Sequence, residues 1–148
     1  MLIRDLALIL LTVFCIHGSG YDVSQLREPE TVPAVEFSYA CEYADVFYGV
    51  KCDDLKAPYV FYVPFPSNLA GEYSFSANYI LVNGWGVDFA EDSDIRVHET
   101  MHYIMYMKGG VTDGCISEEI SRRVTASWQH VPYNDEWRQW YGCTNRSR

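Results

Sequence analysis

Basic residues are scarce in this chain: eleven Lys and Arg face twenty Asp and Glu, for a net charge of −9. A nucleic-acid binder needs a basic patch to meet phosphates, and an anionic membrane surface asks for the same, so this balance argues against both as partners. Histidine is scarcer still, with four residues in the whole chain. No internal repeat or low-complexity stretch is present, and no Cys-x-x-Cys pair, which argues against a thiolate zinc site. A long apolar run is also missing. The stretch from Leu6 to Ile16 is too short to span a bilayer, which takes about twenty residues. With Arg4 before it and the small residues Gly18-Ser19-Gly20 after it, it reads as a secretory signal peptide cut after Gly20.

That assignment divides the chain into a signal peptide, 1–20, and a single domain, 21–148. It implies a secreted or periplasmic location and no stable membrane association once the signal is removed. Of five cysteines, Cys41, Cys52, Cys115 and Cys143 then stay with the domain. An even number in a small exported domain suggests two disulfides. The favoured pairing is Cys41–Cys52, closing a hairpin, and Cys115–Cys143, tying the C-terminal tail to the loop after the central helix.

What the chain does have is concentrated between Asp92 and Glu119. His98-Glu99-Thr100-Met101-His102 is an H-E-x-x-H pentapeptide, holding two of the four histidines. On a helix, residues four apart share a face, so both imidazoles can reach one Zn²⁺ at about 2.0–2.1 Å. Glu99 leans over the same site, placed to take a proton from a water there. The flanks support a helix. Asp92 or Ser93 can cap its start, acidic residues suit its positive end, and Lys108-Gly109-Gly110 reads as a stop. Apolar residues on most sides predict burial, and two His and a Glu inside a buried helix need partners, which a metal supplies together.

The elements on either side predict an α+β fold. Glu36–Cys41 and Asp45–Cys52 read as β-rich, as do Tyr59–Val63 between two prolines, Glu72–Ser76 and Asn78–Asn83. The order is a meander of strands, then helix, turn and second helix. It predicts a small antiparallel sheet with the H-E-x-x-H helix and the following helix packed on one face. The second helix runs from Cys115 to Trp128, where Ile116, Ile120, Val124 and Trp128 recur every four residues. A short terminal helix is expected within Asn134–Tyr141.

Two His need at least one more protein ligand. The position six residues after His102 is Lys108, which cannot serve, and the candidates are Glu118, Glu119, His130 and Asp113. Here His98-Glu99-x-x-His102 followed by Ser117-Glu118-Glu119-Ile120-Ser121 resembles the gluzincin branch of the zincin metallopeptidases in its minimal form. That branch carries its third ligand on a glutamate helix, the Glu preceded by a small polar residue and followed three later by a small one. The resemblance therefore implies His98, His102 and Glu118 as zinc ligands, one zinc per chain, with Glu99 as general base. It implies hydrolysis of peptide bonds in a peptide or protein substrate. It also implies that the strand before the helix, Tyr79–Asn83, lines substrate backbone, and that a late His or Tyr, His130 or Tyr133, stabilises the oxyanion. One departure stands out: many members place Asp or Asn four residues after the ligand Glu, where this chain has Arg122. Two other readings keep the zinc but change the activity: a secreted zinc-containing interaction domain, or a zinc amidase acting on cell-wall material.

Overall fold

The computed structural model describes residues 27–63, 69–83 and 91–144. The expected signal peptide lies outside these residues. In chain order they form β1 (Glu30–Thr31), α1 (Ala34–Tyr48), β2 (Tyr59–Val63), β3 (Gly71–Ser74), β4 (Tyr79–Asn83), α2 (Asp92–Met107), α3 (Gly114–Trp128) and α4 (Trp137–Trp140). The architecture is mixed α+β: a four-stranded open sheet, ordered β1-β2-β4-β3, with the helices stacked beside it.

The sheet is not the antiparallel meander expected from the strand order. β1 pairs antiparallel with β2, and β3 with β4, but β2 and β4 run parallel, Tyr59 opposite Tyr79 through Val63 opposite Asn83. Both central strands are apolar almost without interruption, as strands with neighbours on each side tend to be. In consequence β4 has a partner on each flank, and β3 is the edge strand beside the helices. The implied substrate-lining strand Tyr79–Asn83 therefore offers no free edge.

The second correction lies upstream. Glu36–Cys41 and much of Asp45–Cys52 are helix, not strand: α1 covers Ala34–Tyr48. Its aromatic residues alternate in sequence and mimic a period of two. Its buried line is instead Glu36, Ala40 and Ala44, spaced by four and carrying two side chains too small to give a strong apolar signal. Gly49, at φ 66°, ends the helix in the left-handed conformation that glycine adopts without penalty. The disulfide Cys41–Cys52 forms as expected, but it ties α1 to the segment after it rather than closing a hairpin. Cys115–Cys143 also forms, pinning the C-terminal segment to the start of α3. Two disulfides are consistent with an extracellular location, and among the described residues no helix is long and apolar enough to cross a membrane.

α2 sits at the centre. It packs on β3 and β4 with one face and on α1 and α3 with the others, so the sheet meets chiefly the H-E-x-x-H helix while α3 packs on α2. Val97, Met101, Ile104 and Met105 of α2 are buried, joined by Val60, Ile80 and Val82 from the sheet and Ile120 and Val124 from α3. A buried ion pair locks this arrangement. Arg96 reaches both oxygens of Glu36, at 2.7 and 2.6 Å, and donates to the Tyr62 hydroxyl at 2.8 Å, joining α2, α1 and β2. The Glu36 hydrogen bonds hold Arg96 firmly protonated.

Candidate metal centre

The H-E-x-x-H residues fall where α2 is continuous and most buried. Its start is closed by a capping box between Glu91 and Asp94, with Glu91 rather than Asp92 or Ser93 as N-cap. Its end falls at Met107, with Lys108 as C-cap. His98 and His102 then stand one turn apart, ring centroids 5.0 Å apart. α3 runs alongside, started by Asp113, whose side chain accepts from the N–H groups of Cys115 and Ile116. One turn in, it delivers Glu118.

Glu118 Oε2 lies 3.2 Å from His102 Nε2 and 3.5 Å from His98 Nε2. Ligands at 2.0–2.1 Å from a tetrahedral zinc are about 3.3–3.4 Å from one another, so both spacings match edges of that tetrahedron. Among the described residues, His98, His102 and Glu118 form the group of His and carboxylate side chains able to hold a metal ion, their ligand atoms within 4.8 Å of one another.

The atoms behind the ligands agree with that use. His98 Nδ1 is 3.3 Å from Thr125 Oγ1, and Thr125 spends its single hydroxyl proton on the Ser121 carbonyl at 2.7 Å. The imidazole must then donate from Nδ1, so Nε2, the nitrogen facing Glu118, is the one available to a metal. His102 Nδ1 lies 2.6 Å from the Ser117 hydroxyl, which holds that ring in turn. Arg122, which departs from the gluzincin pattern, donates from Nε to Glu118 Oε1 at 2.5 Å, so it orients the carboxylate and not a histidine. Burial opposes ionisation of Glu118, but hydrogen bonds from His102 and His98 and their charge outweigh it and hold the carboxyl below the usual range. A cation placed among these three groups acts in the same direction.

Glu99 is the opposite case. It is buried beside the cluster and makes no ion pair among the described residues. Burial, reinforced by the charges of Glu118 and Glu72, outweighs His102 and a hydrogen bond from the Tyr73 backbone, and pushes its pKa up to about 7. Such a carboxyl can take up and release a proton near neutrality. Gly71 makes room for it. A Cβ there would lie 2.5 Å from Ile95 Cγ2 and 3.2 Å from Glu99 Cγ, so glycine lets β3 approach α2.

The cluster opens to solvent on two sides, through cavities of about 300 and 480 Å³ that share Gly71, His98, Glu99, Glu118 and Tyr141 in their walls. The remaining candidates are elsewhere engaged. Glu119 points away, paired with Arg123 at 2.9 Å and with Arg138. Asp113 caps α3. His130 is exposed, at φ 57°, and lines neither cavity. Tyr133 lines the smaller cavity, with its hydroxyl accepting from Trp137 Nε1 at 3.1 Å.

Residues behind the ligands went unread in the sequence. Thr125 had a usable signal, standing one turn after Ser121 on the face of Glu118. Tyr141 had none beyond Cys143, whose disulfide brings the terminal segment back over α3. Arg122 holds that segment from below, its guanidinium carbon 5.3 Å from the ring centres of both Trp137 and Tyr141. Comparison of the chain with protein-family models, with curated proteins and with solved structures returns no match.

Proposed function

We propose that the chain is an exported zinc metallopeptidase, with zinc on His98, His102 and Glu118 and Glu99 as general base. The observation that supports it is a single arrangement: one carboxylate oxygen within 3.5 Å of two imidazole Nε2 atoms, with a second, buried carboxyl beside them at the wall of an open cleft. The donor set fits the group. Two imidazoles, each contacted at Nδ1 by a hydroxyl and turned with Nε2 toward the site, and one carboxylate make up the two-His, one-Glu set of a hydrolytic zinc site with a coordination position left for solvent. When bound, zinc acts as a Lewis acid toward a carbonyl and makes a water acidic enough to lose a proton near pH 7.

The protein's part is to place and move protons. Glu99 receives the proton of the attacking water on its carboxylate and delivers it to the departing amine. Its burial keeps it basic enough for the first transfer and acidic enough for the second. Ser117 and Thr125 keep the Nε2 atoms directed at the site, and Arg122 keeps Glu118 in register.

The test is metal content and turnover together. The mature chain is expected to hold one zinc, lost in His98→Ala and Glu118→Ala. Glu99→Gln is expected to retain zinc but lose peptide hydrolysis by several orders of magnitude. A zinc-loaded wild type that cleaves nothing in a broad peptide digest, with Glu99→Gln indistinguishable from it, would return the reading to a zinc-containing interaction domain. Cleavage confined to cell-wall material would favour the amidase.

A further inference from the structure

The smaller cavity differs from the larger in what closes its far end. Near the cluster both share the same walls. Away from it, the cavity of about 300 Å³ is lined by the first turn of α2 and the last turn of α3, where Asp94 meets Gln129 one turn beyond His98 and Thr125. Asp94 accepts from Gln129 Nε2 at 2.8 Å and from the Glu91 N–H at 3.3 Å, both on Oδ2. Among the described residues no Lys, Arg or His lies within ion-pair distance of it. Among the described residues the cavity's one lining Lys or Arg is Arg122, and its Nε is already given to Glu118. Between the two ends the walls are apolar, supplied by Leu69, Ile95 and Val131 among others.

We infer that this cavity is a side-chain subsite for Lys or Arg of a bound peptide, with Asp94 receiving the cation. The inference rests on the peptidase reading for what the bound peptide then undergoes. An aliphatic stem with a cationic tip is the side chain that matches an apolar passage ending on a carboxylate. An acidic side chain would meet Asp94 with no free cation to offset the repulsion. A purely apolar one would take water from Asp94 and offer its Oδ1, which neither of those two bonds uses, no partner in return. The net charge of −9 draws cationic peptides toward the protein from a distance.

The test uses the zinc-loaded mature chain and labelled peptides that differ at one position, Lys, norleucine or Glu, moved along either side of the bond. One set is cleavable, and the other carries a reduced, uncleavable bond. At one register the Lys probe is expected to bind roughly ten- to a hundredfold tighter than norleucine, and Glu weakest. Asp94→Asn keeps an acceptor oxygen for the Glu91 N–H and is expected to abolish the Lys advantage without loss of zinc or of norleucine binding. Asp94→Glu should retain it. An unchanged Lys-to-norleucine ratio in Asp94→Asn, or no Lys preference at any register, overturns the subsite even if the peptides are cleaved. An Asp94-dependent Lys preference without any cleavage keeps the subsite and removes the peptidase reading instead.

Discussion

At Gly71 a single methyl group would collide with Ile95 and crowd Glu99. The edge strand and the H-E-x-x-H helix are thus held apart by backbone alone at the point where the proposed general base sits. Gly71→Ala is expected to cost about 1–3 kcal/mol, as overpacking does, and to displace Glu99. Denaturant titration measures the first, and turnover with unchanged zinc content the second. The hydroxyls behind the imidazoles make a matching pair of cases. Thr125→Val and Ser117→Ala each remove the hydroxyl that holds an imidazole at Nδ1, and each is expected to weaken zinc binding about 10–100-fold in a competitive chelator titration. Full zinc affinity in both variants would mean that packing alone directs the rings.

Among the elements, α1 carries the least obvious duty. Its Glu36 is the buried counterion of Arg96, two residues before His98, and so ties the helix bearing the ligands to a helix that contributes none. Removing Glu36 leaves the buried Arg96 with only the exposed Glu30, at 3.8 Å, and the Tyr62 hydroxyl. Glu36→Ala should therefore destabilise the fold by about 3–5 kcal/mol, read by thermal or urea unfolding. A loss under about 1 kcal/mol would mean that water reaches Arg96 in the variant. α1 is also where sequence reasoning erred most. Phe37, Tyr39, Cys41 and Tyr43 alternate as a strand does, whereas the residues that decide the matter are Ala40 and Ala44, inconspicuous in composition and wholly buried. For α3 the opposite happened. The apolar stripe placed Ile120 and Val124 correctly, but Ile116 is 52% exposed and the buried face continues through Ser117, Glu118 and Ser121. A face built to meet ligands is polar, so hydrophobic periodicity cannot trace it.

Over the whole molecule, the terminal segment is held to α3 by three kinds of bond. They are Cys115–Cys143, the Glu119–Arg138 pair, and Arg122 under Trp137 and Tyr141. Replacing both cysteines by serine should cost roughly 2–4 kcal/mol. It should also raise KM for peptides more than it lowers zinc content, because Tyr141 walls both cavities but holds no ligand. Acid acts on the same clasp. Burial resists ionisation of Glu119, but hydrogen bonds from Arg123 and Arg138 prevail and lower its pKa. Its contribution is therefore present above the ordinary carboxylate range and lost as pH falls through the lowered value. Wild type should lose stability below about pH 4.5 more steeply than Glu119→Gln in a pH series of melting curves. Parallel slopes would assign the acid sensitivity to other carboxylates.

The sequence by itself determined which residues could meet a metal and how they are spaced. A helix sets positions four apart on one face whatever surrounds it, so His98 and His102 needed no fold to be paired, and Ser117, Glu118 and Ser121 were legible as one helix turn. It also determined β2 and β4 as strands and favoured the two cysteine pairings that the structure forms. Only the tertiary structure decided that β2 and β4 run parallel, that β3 is the edge beside α2, and that Glu118 rather than Glu119 faces the imidazoles. It alone brought Arg122, Thr125 and Tyr141 to the site. Those are contacts between segments far apart in the chain, and no local propensity encodes them: they follow from how α2 is wedged between the sheet, α1 and α3, and from a tail carried back by a disulfide.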